Sequence, residues 1–99
     1  MRPHHTKRLA ESITRLAAEF LSRQLSRPES LVTVTGTRLD KSGHSAIIFI
    51  TVYPLTDEEK ALAETRIHRS ELRDFLDDRL RGSALTHVDF VPDARIKRD

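Results

Sequence analysis

Leu9, Ile13, Leu16, Ala17, Phe20, Leu21 and Leu25 recur at intervals of three and four residues with charged residues between them. That is the pattern of a helix with one apolar stripe, and it predicts a helix from about Lys7 to Leu25. Pro28 cannot continue the helix and biases Arg27 away from helical geometry, so the end is expected near Ser26. From Leu31 to Leu39 the period changes to two, with Val32 and Val34 on one face and Leu31, Thr33 and Thr35 on the other. This Val- and Thr-rich run is read as a first strand. Gly36 inside it marks a bulge or a close backbone approach. Asp40-Lys41-Ser42-Gly43 supplies turn chemistry, and Ala46 to Tyr53, apolar on both faces, is a second strand that pairs with the first as an antiparallel hairpin.

Pro54 ends that strand, and Thr56-Asp57-Glu58-Glu59 fits a capping box, with Thr56 as cap, that starts a helix at about Asp57. Ala63 and Ile67 are four apart, but the next position on their stripe is Ser70 or Glu71, and apolar residues resume at Leu72, Phe75, Leu76 and Leu80, displaced around the axis. One straight helix cannot bury both sets against the same sheet, so a kink or break is expected between Ile67 and Leu72. Ser70 is a competent cap for the new start and Gly82 a good stop; an unbroken helix with an irregular apolar face is the simpler alternative. Val88 to Val91 is a short last strand closed by Pro92, and Asp93 to Asp99 is polar enough for a tail. The order of elements predicts an α+β fold, a three-stranded sheet with helices packed on one face and the other face left available.

At 99 residues the chain has the size of one domain. It has no cysteine, so no disulfide framework and no cysteine-ligated zinc site is possible, and nothing in it requires an oxidising compartment. Met1 to Leu9 carry charge and histidine with no apolar run behind them, and no stretch approaches the roughly 20 apolar residues of a membrane span. A cytoplasmic protein with no membrane association is the expectation. The formal net charge is only +2, but it is unevenly spread. Residues 1–27 hold six bases (Arg2, Lys7, Arg8, Arg15, Arg23, Arg27) against two acids (Glu11, Glu19), and residues 94–99 hold Arg95, Lys97 and Arg98 against Asp99. The stretch from Asp57 to Gly82 holds eight acids and six bases. Both chain ends are basic and the middle is not.

Leu31-Val32-Thr33-Val34-Thr35-Gly36, then Leu39, then Ala46-Ile47-Ile48-Phe49-Ile50-Thr51-Val52, and finally Val88-Asp89-Phe90-Val91 with Asp93 after it, set in the order helix, strand, strand, interrupted helix, strand, resemble the ribosome-binding factor A family of bacterial small-subunit assembly factors. The resemblance covers about Lys7 to Asp93. It implies a KH-like fold of the second type, in which an Ala-x-Gly kink joins two helices where ordinary KH domains clamp nucleic acid backbone with a Gly-x-x-Gly loop. The kink falls here on His68-Arg69-Ser70, without the family's alanine or glycine, and Ser42-Gly43 stands where the family has Asp-Leu in the hairpin. The implied organisation is a single KH-like domain over residues 1–99, with a core at about 7–93 and a short basic tail at 94–99. The implied function is non-catalytic: docking on 16S rRNA of the immature 30S subunit and promoting its maturation, with no cofactor and as a monomer when free.

Lys and Arg neutralise phosphates and release counterions, so Lys7, Arg8, Arg15 and Arg23, on roughly one side of the first helix, are candidate RNA backbone contacts, with Arg2, Arg95, Lys97 and Arg98 extending the footprint. The ordinary alternative is a solvated face, because Glu11 with Arg15 and Arg15 with Glu19 are common helical pairs. At the break, Arg66, Arg69 and Arg73 lie near the amides of a new helix start, where a phosphate is favoured, and His68 and Ser70 join the candidates. Glu64, Glu71 and Asp74 compensate part of that charge. The five histidines have no zinc-ligand spacing, and no nucleophile elbow or phosphate-cradling glycine loop is present, so neither a metal site nor an enzyme is expected. Two other readings remain open: a protein-interaction domain that adds a partner's strand at its sheet edge, and a small hydrolase built on His44, His87 and Asp89.

Overall fold

In a computed structural model, which describes residues 3–25, 31–80 and 84–94 and the side chains of the first helix from Lys7 onward, the chain runs α1 (Pro3–Gln24), β1 (Leu31–Leu39), β2 (Ser45–Tyr53), a 3-10 turn (Leu55–Asp57), α2 (Glu58–Ile67), α3 (Arg69–Arg79) and β3 (His87–Pro92). The strands form one sheet in the order β1-β2-β3. β1 and β2 are the antiparallel hairpin expected from the turn residues, with Leu31 opposite Tyr53 and Leu39 opposite Ala46. β3 lies parallel to β2; parallel neighbours need a long crossover, and α2 with α3 provide it.

β2 is the middle strand. Ala46, Ile48, Ile50 and Val52 are buried beneath the helices, while Ile47, Phe49 and Thr51 are half-buried on the opposite, open face. The apolar character of both faces is therefore genuine, but only one face belongs to the main core. Ile13, Leu16, Ala17, Phe20 and Leu21 of α1, Leu72 and Leu76 of α3, and Val88 and Phe90 of β3 complete that core. Each large side chain among them contributes about 1.5–3 kcal/mol by leaving water.

The glycine signal in β1 is a bulge. Val34 pairs with Ile50 and Gly36 with Phe49, which leaves Thr35 unpaired between them. A bulge adds one residue and so reverses which alternate positions face the core. Before it Val32 and Val34 face the helices; after it Thr37, whose hydroxyl lies 2.8 Å from that of Thr14 on α1, and Leu39 do so. The extra Thr35 hydroxyl donates to Asp93 Oδ2 at 2.7 Å, a carboxylate 1% exposed, and so ties the first strand to the residue just past the last.

The sequence expectation for the second helical segment needs three corrections. Asp57 rather than Thr56 occupies the cap position of α2, with no side-chain capping bond, because the chain enters through a 3-10 turn in which the Asp57 amide bonds the Pro54 carbonyl. The break consists of the single residue His68, and Ser70 lies exposed inside α3, so serine capping is not its cause. Ala63 and Ile67, whose spacing suggested the phase slip, are exposed; the buried positions are Ala61, Thr65, Leu72 and Leu76. With half-buried His68 between them, these follow the helical period straight through the break. The interruption arises in the backbone: the Thr65 hydroxyl bonds the Leu62 carbonyl, the His68 amide reaches back only to Thr65, and Arg69 Nε bonds the Arg66 carbonyl. The Gly82 stop lies outside the described residues, and α1 begins at Pro3, a turn earlier than its apolar stripe required.

Candidate nucleic-acid interface

Along α1, Lys7, Arg8, Arg15 and Arg23 are all exposed. At 100° per residue Arg8 and Arg15 lie on one line down the solvent side, Lys7 stands on the flank toward β1, and Arg23 on the flank that carries Leu16 and Phe20. Lys7 borders a shallow groove shared with Arg38 and the bulge residues Thr35 and Gly36. Arg23 Nη2 meets Glu19 Oε1 at 2.8 Å, but both side chains are largely in water and the pair has little energetic weight.

At the break the guanidiniums are anchored. Arg66 Nε lies 3.3 Å and Arg69 Nη1 3.2 Å from the same Asp89 Oδ1, and Arg66 Nη2 donates to the Phe90 carbonyl at 2.9 Å. These bonds fasten the α2–α3 junction to the outer edge of β3. Burial by itself pushes the Asp89 carboxyl up; the Phe90 amide and the Arg66 and Arg69 guanidiniums outweigh it and hold the group below its ordinary value. Two guanidiniums share one carboxylate, so these three groups together carry one net positive charge on half-exposed side chains, with Glu64 and Glu71 on the adjoining turns of α2 and α3. Arg69 is thus both wall and clamp, not the free surface charge that its position in sequence suggested.

His68 turns inward. Its Nδ1 lies 2.9 Å from Glu71 Oε1, and its ring meets Phe20 edge-on at 6.4 Å between centroids, in a cluster that Phe75 completes. Ser70 is exposed, and Arg73 is exposed with Asp74 at 3.3 Å. Arg69, Ser70 and Arg73 line a depression of about 170 Å³ whose other wall is Thr86, His87 and Val88 at the start of β3. The candidates on α1 and at the break therefore occupy separate elements, with Phe20 packed between them. Arg2, Arg95, Lys97 and Arg98 lie outside the described residues.

Sequence reasoning missed two features. As a site residue Asp89 entered only in the hydrolase reading with His44 and His87, yet it is held by two arginines and an amide and by neither histidine. The His44 carbonyl accepts from the Thr86 and His87 amides at 2.8 and 3.1 Å, which docks the hairpin turn beside the depression. Contacts between residues 20 or more apart leave no local pattern to find. Among the described residues no three His, Asp or Glu side chains gather as metal ligands, and no helix is long and apolar enough to cross a membrane.

No family model matches the sequence, and no curated protein matches it. Solved structures do. The crystal structure of ribosome-binding factor A from Thermus thermophilus is similar with a TM-score of 0.77 and 27% identity, over 88% of this chain and 94% of that one. A Thermus thermophilus ribosome-binding factor A model fitted into a cryo-EM map of its complex with the 30S subunit gives 0.73 and 28%, over 87% and 92%. The solution structure of a Thermotoga maritima protein gives 0.79 over 100% of this chain and 97% of that one, at 20% identity, a likeness of fold alone. The fold is thus shared over most of both chains with ribosome-binding factor A, at 27% and 28% identity to the two Thermus structures.

Proposed function

We propose that the chain is a non-catalytic assembly factor that binds 16S rRNA on the immature 30S subunit and promotes its maturation, acting in the cytoplasm as a monomer when free. The observation that carries this reading is the charge arrangement at the helix break, where two half-exposed guanidiniums share the single carboxylate of Asp89. An arginine pair fixed in place with charge to spare suits a phosphate, because the ordering of both side chains is already done by the fold. Exposed Arg8 and Arg15 on α1 and Arg73 on α3 supply further phosphate contacts. The similar Thermus protein fitted on a 30S subunit supports the choice of target.

Strand addition at the sheet edge is the weaker reading. The β1 edge carries the Thr35 bulge, and on the β3 edge Arg66 already occupies the Phe90 carbonyl; both devices discourage pairing with another strand. Sedimentation of the chain with purified free 30S particles through a sucrose gradient separates the two. Comigration at low salt that disappears as salt rises is the expected result. No comigration at low salt overturns the RNA-based reading.

A further inference from the structure

We infer that the end of the sheet where β1 starts and β2 stops is a docking site for a protein component of the 30S particle, one that presents an apolar side chain flanked by Lys or Arg. The inference rests on the 30S target proposed above and adds a second contact to it. Among the described residues four large apolar side chains are exposed: Leu31, Tyr53, Leu55 and Ile67. Ile67 stands apart from the others on α2, and a single exposed apolar residue is ordinary. The other three lie together. Leu31 and Tyr53 are direct cross-strand partners, 65% and 76% exposed, and alternation from Val32 and Val52 turns both to the open face. Leu55 follows two residues later in the 3-10 turn.

Leu31 also lines a groove of about 320 Å³ between the last turns of α1 and the start of β1, together with Leu21, Leu25, Val32 and Val34. The polar side chains there are Thr33 and Ser22, and the Ser22 hydroxyl donates to the Glu19 carbonyl at 2.7 Å. The volume is at the small end of the range for ligand pockets, about 300–1,000 Å³, a size for a partner's side chain rather than a cofactor. A tyrosine and a leucine beside such a groove have the make-up of an interface anchor, because the ring offers a large apolar area and its hydroxyl a hydrogen bond. The Thr35 bulge interrupts the free edge of β1 directly after Val34, so the contact is made through side chains and not by an added strand.

Charge selects the occupant. Among the described residues no Lys or Arg lines the groove, and Arg23, the last described cation of α1, is paired with Glu19. Within seven residues of Tyr53 come Asp57, Glu58 and Glu59 against Lys60, a net of −2 at the start of α2, with Glu59 exposed. These acids suit the positive end of the helix, but that end carries only about +0.5 charge, so the surface stays negative. RNA is disfavoured where no cation meets its phosphates. A second copy docked by the same end would set the two acid clusters against each other. A cationic segment with an apolar anchor satisfies both the groove and the acids. The site is also clear of the helix break: His87, at the start of β3, pairs with Ser45, eight residues along β2 from Tyr53, which is about 26 Å. Protein at one end and RNA at the other therefore do not compete for space.

The test uses the full chain and purified free 30S particles. Leu31→Ala with Tyr53→Ala is compared with Ile67→Ala, which removes a similarly exposed apolar side chain elsewhere, and urea denaturation checks that the double variant is folded. Photoreactive p-benzoylphenylalanine in place of Tyr53 keeps an aromatic ring at that position and reports its neighbour directly. The double variant is expected to bind the particle about tenfold more weakly, with a log–log salt slope within about 0.5 of the unaltered chain's, because no phosphate contact is lost. Ile67→Ala is expected to bind as the unaltered chain does. The photoreactive chain is expected to form an adduct with a ribosomal protein at a segment carrying Lys or Arg. If the double variant keeps full affinity while the unaltered chain comigrates with 30S particles, the docking site is overturned and the assembly-factor reading stands. An adduct with 16S rRNA, or with a second copy of the chain, overturns the protein partner in favour of that occupant. If the unaltered chain does not bind the particle at all, the function on which this contact depends is overturned with it.

Discussion

Replacing Asp89 by alanine cuts the fastening between the helix break and the edge strand. The change removes two guanidinium contacts at 3.3 and 3.2 Å and the bond from the Phe90 amide at 2.8 Å. The side chains are about a third to two fifths exposed, so each ion pair is taken at the surface value of about 0.2–1 kcal/mol. With the amide–carboxylate bond at about 0.5–1.5 kcal/mol, the loss is about 1–3.5 kcal/mol, and the midpoint of that range lowers the Tm of a chain this size by about 10 °C. The sign with pH follows from the direction of the shift. The folded carboxyl titrates below its ordinary value of 3.8, so its stabilisation is present in full above that value and is lost as the pH falls through the lower, folded one. Urea denaturation followed by circular dichroism near neutral pH and at about pH 3 measures both effects; the gap between the unaltered chain and Asp89→Ala is expected to close in acid. Equal stability near neutral pH, or a gap that widens in acid, refutes the clamp.

Four other substitutions probe the frame that positions the interface. Thr35→Val keeps the shape of the bulge residue but removes the hydroxyl donor to buried Asp93, and is expected to cost about 1–2 kcal/mol in the same denaturation assay. Leu72→Ala, at a fully buried position on the stripe that runs through the break, is expected to cost about 2–5 kcal/mol, whereas Ile67→Ala, 75% exposed, stays within about 0.5 kcal/mol of the unaltered chain; the reverse order would restore the stripe first read from the sequence. Gly43 holds a φ of 79° in the hairpin turn, where a side chain costs about 1–2 kcal/mol, so Gly43→Ala is expected to lower the Tm by several degrees.

The strands were legible because alternation in a sheet is a local property. Val32, Val34, Ile48 and Ile50 declare their face within a few residues, and Gly36 located the bulge because a glycine inside a strand has few other uses. The helix break was placed within two residues, yet from the wrong stripe. Ala63 and Ile67 look like core by hydropathy, whereas the positions that pack are Ala61, Thr65 and His68; a threonine that returns its hydroxyl to the backbone and a histidine paired with a glutamate can be buried without appearing apolar. Composition identified the arginines of the break as candidates but not their partner. Arg66 and Arg69 stand 23 and 20 residues from Asp89, and Thr35 stands 58 from Asp93. Only the parallel placement of β3 beside β2 brings these groups together, and that pairing depends on the whole chain.

The central claim is that fixed cations on this small domain hold RNA of the 30S particle, and the salt dependence of affinity for purified free 30S particles tests it most directly. Four to six phosphate contacts from α1 and the break predict a log–log slope between about −3 and −5, with the slope reduced in a variant lacking Arg8 and Arg15. Tight binding with a slope near zero would contradict the account and place the contact on protein instead of RNA.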